Sequence, residues 1–197
     1  MIQVKIPSCC VAEQKYILGV LLSEFLGLEY RVVEYDGNHV EITKADSAKK
    51  LTLDASFFYS ASQEGWLKPE SMPELPLHDW NPVQDGIDVS LVEDKIPVLY
   101  GQKGLVIEDN HWHINLDIFG SAFFMLSRYE ELITQDRDEH DRFHARACVA
   151  FKAQFLDRPI VNEYLEILWA CMHQLWPNLA RKKRQFTNLI SCDVDIP

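Results

Sequence analysis

The chain has 197 residues, of which 47% are hydrophobic and 25% are charged. This composition is typical of about one globular domain and excludes a disordered chain, a collagen-like fibre and a low-complexity tail. The 30 acidic and 19 basic residues give a formal charge of −11, which argues against nucleic acid or an anionic membrane as a general partner.

Targeting features and cysteine spacing both indicate a reducing compartment. No apolar stretch approaches the roughly 20 residues that a spanning helix needs, so we expect no membrane span. Residues 2–7 alternate like a strand rather than forming the apolar core of a signal peptide, so we expect a cytoplasmic protein. The five cysteines show no CxxC spacing, which favours reduced thiols over a zinc site.

The N-terminal quarter predicts a strand, a helix and a hairpin. Apolar residues alternate over residues 2–6, which indicates an opening strand. An apolar stripe predicts a helix over 11–26, and Gly27 stands where a left-handed C-terminal cap is expected. The β-prone runs 30–35 and 40–42 flank an Asp-Gly pair and therefore predict a hairpin.

Four more β-prone runs follow, at residues 51–59, 96–101, 104–107 and 112–114. Between the first two lies a segment, residues 60–94, that contains four prolines and many acidic residues. Such a long irregular segment is typical of a binding or docking surface, although an insertion that only packs is the alternative.

Two tryptophans lie within this proline-rich segment. We expect Trp66 and Trp80 to fix it to the rest of the domain. If the segment binds a ligand, the same two rings are the candidate glycan contacts.

Two further helices are predicted in the second half of the chain. Residues 117–134 are apolar on both helical faces, which indicates a buried helix, and Asn115 or Asp117 is placed to cap it. Pro159 opens a helix near 160–176. The whole pattern predicts an α/β or α+β fold, with a mixed sheet flanked by at least three helices in a single domain.

The buried helix carries charged residues near its end. Arg128 and Glu131 are i, i+3 neighbours, and Glu130 lies beside them. These residues either line a pocket or form an ion-pair network that holds the following loop. We favour the structural network, since buried charges must be paired.

His140 and His144 form an H-x3-H pair in the charged segment 136–147. On a helix this spacing places both imidazoles on one face, as a metal site requires. The surrounding charge run instead favours a solvated turn. A metal-dependent enzyme built on this pair is therefore the less favoured alternative.

The end of the sequence combines a basic run with a carboxylate pair. Residues 181–184 favour a solvated connector over a nucleic-acid site. Residues 186–192 predict a strand that is followed by Asp193 and Asp195. Two carboxylates so spaced can divide the roles of base and divalent-metal ligand, although Asp-x-Asp is a common pattern.

Several strings together resemble the N-terminal region of bacterial polysaccharide deacetylase-like proteins, in which an uncharacterised α/β domain precedes a NodB-type catalytic barrel. The strings cover nearly the whole chain, and the most specific lies around residues 123–131. They lie at residues 16–18, 24–28, 96–101, 117–131, 140–143, 159–162 and 191–195.

The resemblance implies an accessory domain over residues 1–180, followed by a linker and the first catalytic strand over 181–197. The family strand has the sequence THDVD, where this chain has SCDVD at 191–195. By position, Asp193 matches the base and Asp195 matches a ligand of a zinc-like divalent metal in the full-length protein. The remaining catalytic groups are expected beyond Asp195, so this chain alone is not expected to deacetylate a substrate.

The expected function is a non-catalytic domain of a metal-dependent polysaccharide deacetylase. Its partners are then the C-terminal catalytic domain of the same polypeptide, on which it docks, and a polysaccharide, which it presents. Candidate structural or pocket residues within these strings include Arg142 and Asn162, beside the charged residues of the buried helix. The alternative function is a self-contained carbohydrate- or protein-binding module.

Overall fold

The computed structural model describes residues 1–60, 65–183 and 185–192. Its strands are Ile2–Pro7 (β1), Tyr30–Tyr35 (β2), His39–Lys44 (β3), Lys50–Asp54 (β4), His78–Trp80 (β5), Ile96–Val98 (β6), Gly101–Glu108 (β7) and His111–Leu116 (β8). Its α-helices are Val11–Leu18 (α1), Ser56–Ser60 (α2), Ile118–Leu126 (α3), Glu130–Ile133 (α4), Val149–Lys152 (α5) and Ile160–Leu175 (α6). A π-helix at Gly19–Phe25 continues α1, and single 3-10 turns lie at Pro69–Ser71 and Ala145–Ala147.

The main sheet has six strands in the order β2-β1-β3-β4-β8-β7, and β5 pairs with β6 in a small second sheet. Strand β1 runs parallel to β2, and β4 runs parallel to β8, whereas the other neighbours are antiparallel. A parallel pair needs a crossover connection, which α1 and its π-helical continuation provide between β1 and β2. The mixed sheet and its helices confirm the predicted fold class.

The two faces of the sheet differ in chemistry because successive side chains of a strand point to opposite sides. One face buries apolar side chains beneath α1, α3 and α6. The other face carries polar side chains, including Lys5, Glu41, Thr52 and His113, and is partly open to solvent. We call it the polar sheet face.

The predicted hairpin over residues 30–42 is wrong. Both β-prone runs form strands, β2 and β3, but β1 lies between them and pairs with each. Strand β1 is apolar at every second position and fully buried at Val4 and Ile6. In this position β1 pairs with a strand on each side and buries its apolar side chains beneath the helices. A hairpin of β2 and β3 would leave no place for β1 between them.

The predicted helix over residues 117–134 is broken. Helix α3 ends at Leu126, and Arg128 takes a left-handed conformation with φ 55° before α4 begins. The break turns Tyr129 into the core, where it is only 2% exposed and its hydroxyl accepts a hydrogen bond from the Leu67 amide at 2.6 Å. These tertiary contacts outweigh the local preference for a continuous helix.

The β-prone run at 51–59 is a strand only in its first half. Strand β4 ends at Asp54, and residues 56–60 form helix α2, on which Phe57 and Phe58 are buried. Two neighbouring side chains of a strand point to opposite faces, so burying both phenylalanines in one core favours a helical turn here over a continued strand.

The predicted strand at 186–192 is not formed, and residues 185–192 carry no regular structure. Phe186, Leu189 and Ile190 are 91%, 94% and 96% exposed. A strand needs a hydrogen-bonding neighbour, and no described residue pairs with this segment. We call residues 185–192 the apolar tail.

Asp117 caps helix α3, as predicted for one of the two candidate caps. Its Oδ1 accepts from the Gly120 amide at 2.7 Å, and its Oδ2 accepts from the Phe57 amide at 2.9 Å, so one carboxyl group joins the starts of α2 and α3. The side chain is fully buried. Burial raises the pKa of Asp117 to about 8, the charge of Asp54 adds to this rise, and the two amide donors oppose it.

This raised pKa predicts a pH-dependent stability. The folded protein binds the Asp117 proton more tightly than the unfolded chain, whose aspartate pKa is about 3.9. The stabilisation is therefore present below about pH 4 and is lost as pH rises towards 8, by up to about 1.4 kcal/mol per pH unit. Urea unfolding at pH 5 and pH 8 measures this loss, which Asp117→Asn should abolish. An identical pH profile for both proteins would contradict it.

Candidate functional site

The carboxylates that the sequence emphasises, Asp193 and Asp195, lie outside the described residues, and so does Arg184. Their predicted roles stay predictions.

The neighbouring basic residues behave as a connector. Arg181 pairs with Glu166 at 2.6 Å and lies over the Trp169 ring, 5.2 Å from its centroid.

His140 and His144 lie in a loop rather than on a helix. His140 is exposed and lies 3.5 Å from the carboxylate of Glu139. His144 accepts a hydrogen bond on Nδ1 from the Arg146 amide at 3.1 Å, which caps a 3-10 turn. The one-face geometry that made this pair a metal candidate is therefore absent, and local hydrogen bonds account for His144.

The charged residues after α3 do not converge on a pocket. Arg128 and Glu131 form a bidentate ion pair, as the i, i+3 spacing predicts. Glu130 is buried, and its Oε2 accepts from the Val149 amide at 2.7 Å at the start of α5. Burial raises the pKa of Glu130. Arg137 donates to the Glu131 carbonyl at 2.6 Å. The group therefore holds the following loop, which is the structural role favoured above.

The other two pocket candidates lie apart from this group. Arg142 is exposed and forms a local pair with Asp138 at 2.9 Å within the charged loop. Asn162 is exposed on the first turn of α6, beside Lys182 and Phe25. The contacts of Arg142 are local, whereas Asn162 lines an open groove with Phe25 and Lys182, so the two residues do not share a site.

The two tryptophans fix the proline-rich segment, as expected. Trp80 is 3% exposed, and its indole nitrogen donates to Asp85 at 2.7 Å. Trp66 is half-buried, with its ring centroid 5.3 Å from that of Tyr129 and 6.0 Å from that of Phe57. The burial of Trp80 leaves it no ring face for a glycan, so the glycan contact foreseen for it has no support here.

A cluster of three histidines occupies the polar sheet face. The register of β4 and β8 places Thr52 opposite His113, and His111 lies two residues earlier on the same face. The Thr52 hydroxyl lies 2.7 Å from His111 Nε2 and 2.8 Å from His113 Nδ1. The ring of His39, from β3, packs edge-on against that of His113 at a centroid distance of 4.9 Å. One hydroxyl group thus orients two imidazoles.

The cluster forms the floor of a depression of about 370 Å³, which we call the polar depression. Its walls include Tyr35, Val106 and two residues of opposite charge, Lys50 and Glu108. Burial is the main cause that lowers the pKa of His113, and His39 adds to it, so this imidazole is neutral at pH 7. A neutral imidazole has one donor and one acceptor nitrogen, so the depression is lined by groups that can hydrogen-bond in either direction.

Within residues 1–60, 65–183 and 185–192, no three histidine, cysteine or carboxylate side chains are arranged to hold a metal ion. At the cluster itself, the hydroxyl group of Thr52 takes the position between two imidazoles that a shared metal would need.

Part of this cluster could be predicted from the sequence. His111 and His113 are two residues apart in a β-prone run, so a strand places them on one face. His39 and Thr52 come from two other strands, and their approach depends on the β3-β4-β8 register. That register includes the parallel pair β4–β8, whose partners, such as Thr52 and His113, lie 61 positions apart in the sequence, and no local pattern specifies it.

Comparison with known proteins places the chain in one family. A family model described as a family of unknown function, DUF7033, matches residues 2–177. The chain belongs to DUF7033. No curated protein and no solved structure matches it. The DUF7033 match takes in the whole main sheet, the polar depression and helix α6, and it ends before the connector and the apolar tail.

One further finding concerns membranes. Among the described residues of this DUF7033 chain, no helix is both long and apolar enough to cross a bilayer.

Proposed function

We propose that this DUF7033 domain is a non-catalytic domain that docks on a polysaccharide deacetylase barrel and supplies its apolar tail to that barrel as a strand. The observation that carries the proposal is the near-complete exposure of Phe186, Leu189 and Ile190. Burying a large apolar side chain contributes about 1.5–3 kcal/mol, so three of them give a partner a substantial driving force.

The composition of the tail suits a strand. Strand addition satisfies the main-chain hydrogen bonds of an extended segment, and alternate side chains then give specificity. An exposed β-prone segment without a neighbour is also an aggregation hazard, which a partner removes. The sequence resemblance described above assigns the same residues to the first strand of a catalytic barrel.

The connector that precedes the apolar tail is held on the helical layer. The Lys182 amide donates to the Leu26 carbonyl at 2.8 Å, just after the π-helix. Gly27 lies beside this contact at φ 67°, and a Cβ atom on it would lie 2.7 Å from the Lys182 Cβ. Glycine is therefore required at this position, both for the left-handed backbone and for the lack of space for a Cβ atom. Together with the Arg181–Glu166 pair, this contact sets where the chain leaves the domain.

In the proposed assembly Asp193 and Asp195 follow the added strand, and the resemblance gives them the roles of base and metal ligand. A bound divalent metal would supply a polarised water for amide hydrolysis. The role proposed for the described residues is docking, and it does not depend on a metal.

The test is association in trans with a deacetylase barrel that lacks its own first strand. Calorimetry should detect binding by the 197-residue chain. The double variant Leu189→Ser/Ile190→Ser should bind at least about tenfold more weakly, because it removes two apolar contacts.

Leu132→Ser is the matched control, since Leu132 is 68% exposed on α4 and lies outside the tail. It should bind like the unmodified chain. No association by the unmodified chain, or equal binding by the double variant, would refute the docking role.

A further inference from the structure

The polar depression on the sheet face has no part in the docking role. It lies on the side of the sheet away from α1, α3 and α6, whereas the connector contacts the end of the π-helix and α6. An oriented polar cluster within a concave surface needs an explanation of its own.

The hydrogen-bonding groups of the depression are held in fixed positions before any ligand arrives. Thr52 is 4% exposed, and its hydroxyl contacts one nitrogen of His111 and one of His113. The other ring nitrogens, His111 Nδ1 and His113 Nε2, have no hydrogen-bond partner among the described residues. Two aligned groups are thus available to a ligand at little cost in side-chain entropy.

The charges around the depression favour neither an anion nor a cation. Lys5 and Glu41 pair with each other at 3.6 Å. Lys50 and Glu108 both line the depression, and Asp54 lies on the same face two residues after Thr52 on β4. These two positive and three negative groups leave a net charge of only −1, so the field selects neither sign of charge strongly.

The size and the walls suit a ligand of one sugar ring. A volume of about 370 Å³ is at the lower end of the range of small-molecule pockets. The Tyr35 ring and Val106 supply apolar surface for the C–H faces of a sugar. Its hydroxyl groups both donate and accept hydrogen bonds, which matches a neutral imidazole.

We propose that the polar depression binds one sugar unit of a neutral glycan, with His111, His113 and Thr52 hydrogen-bonding its hydroxyl groups. The site is independent of the apolar tail, so it goes beyond the docking role and can be tested without a barrel.

The experiment follows the imidazole signals of histidine-labelled protein by NMR at pH 7. The probes are glucose, N-acetylglucosamine and inorganic phosphate, each titrated through the millimolar range. The expected result is a saturable shift of the His111 and His113 signals with at least one of the two sugars, while His140 and His144 stay unchanged.

Thr52→Val tests the orienting hydroxyl, because valine keeps the β-branched shape that suits strand β4. It should weaken sugar binding at least about tenfold, since it leaves both imidazoles without their shared partner. Thr43→Val is the matched control, because Thr43 lies on the same face of β3 but is paired with Lys50. It should bind like the unmodified protein.

Three outcomes would overturn the proposal. One is the absence of any shift with either sugar while the protein stays folded. Another is a response to phosphate alone, which would make the depression an anion site. The last is sugar binding that Thr52→Val leaves unchanged, which would place the sugar elsewhere on the surface.

Discussion

Replacing Glu163 with alanine is expected to lower the free energy of unfolding by about 3–5 kcal/mol, because it removes the carboxylate that forms a buried ion pair with Arg158. The side chains of Arg158 and Glu163 are only 7% and 5% exposed. Two hydrogen bonds join them, from Arg158 Nε at 3.0 Å and from Nη2 at 2.9 Å. Urea unfolding of the two proteins at pH 7 measures the loss.

The ion pair also fixes a loop to helix α6. Glu163 accepts from the Val92 amide at 2.9 Å, and Arg158 donates to the Lys95 carbonyl at 3.0 Å. These bonds tie the end of the proline-rich segment to the start of α6. Amide exchange at residues 87–95 should therefore rise in Glu163→Ala together with the loss of stability.

Glu93→Ala is the matched control for this prediction. Glu93 accepts from the same arginine at 3.0 Å, but its side chain is 66% exposed. Exposed ion pairs contribute about 0–1 kcal/mol, so this variant should remain close to the unmodified protein. A loss below about 1 kcal/mol for Glu163→Ala would show that the pair behaves like a surface pair.

Phe57→Ala is expected to cost about 3–5 kcal/mol of unfolding free energy, because it opens a cavity in the centre of an aromatic cluster. Phe57 is 1% exposed. Its ring centroid lies within 6.4 Å of six others, those of Phe58, Trp66, Tyr100, Phe123, Phe124 and Tyr129. Each such pair adds about 0.5–1.5 kcal/mol beyond the area that it buries.

The cavity should also loosen the start of the proline-rich segment. Tyr129 and Tyr100 hold that segment, through the Leu67 amide at 2.6 Å and the Ser71 carbonyl at 2.7 Å. The near-ultraviolet signal and the fluorescence of Trp66 should therefore change in Phe57→Ala. Chemical denaturation gives the stability, and the two spectra report the segment.

Phe151→Ala is the matched control, because Phe151 is 47% exposed on the short helix α5. Substitutions of this kind away from special features usually stay within about 0.5 kcal/mol. Equal losses for the two variants would mean that the cluster around Phe57 is not the centre of the core.

Local sequence signals predicted the elements that local chemistry determines. The apolar stripes of 11–26 and 160–176 became α1 with its π-helical continuation and α6. Gly27 has the left-handed conformation expected of a helix end, and Asp117 caps α3. In each case the residues that carry the signal lie within a few positions of the element that they predict.

Elements that depend on distant contacts were not predictable in this way. The turn signal at Asp36 and Gly37 is real, but the strands on either side of it are separated in the sheet by β1. The break at Arg128 follows from the burial of Tyr129 against the segment at Leu67. Neither partner is identifiable from the neighbouring sequence.

The candidate site shows the same division. The spacing of His111 and His113 indicates a shared strand face, but their approach to Thr52 and His39 depends on long-range register. By contrast, the pair His140 and His144 had a familiar spacing without the helix that gives the spacing its meaning. Spacing is informative only when the element that carries it is correct.

Amide hydrogen exchange on a polypeptide that carries this domain together with its proposed barrel tests the docking role most directly. The account predicts slow exchange along residues 186–192, since a strand inserted into a barrel forms hydrogen bonds to a neighbouring strand on each side. Rapid exchange throughout this segment, while strands β1 and β3 of the same polypeptide stay protected, would contradict it.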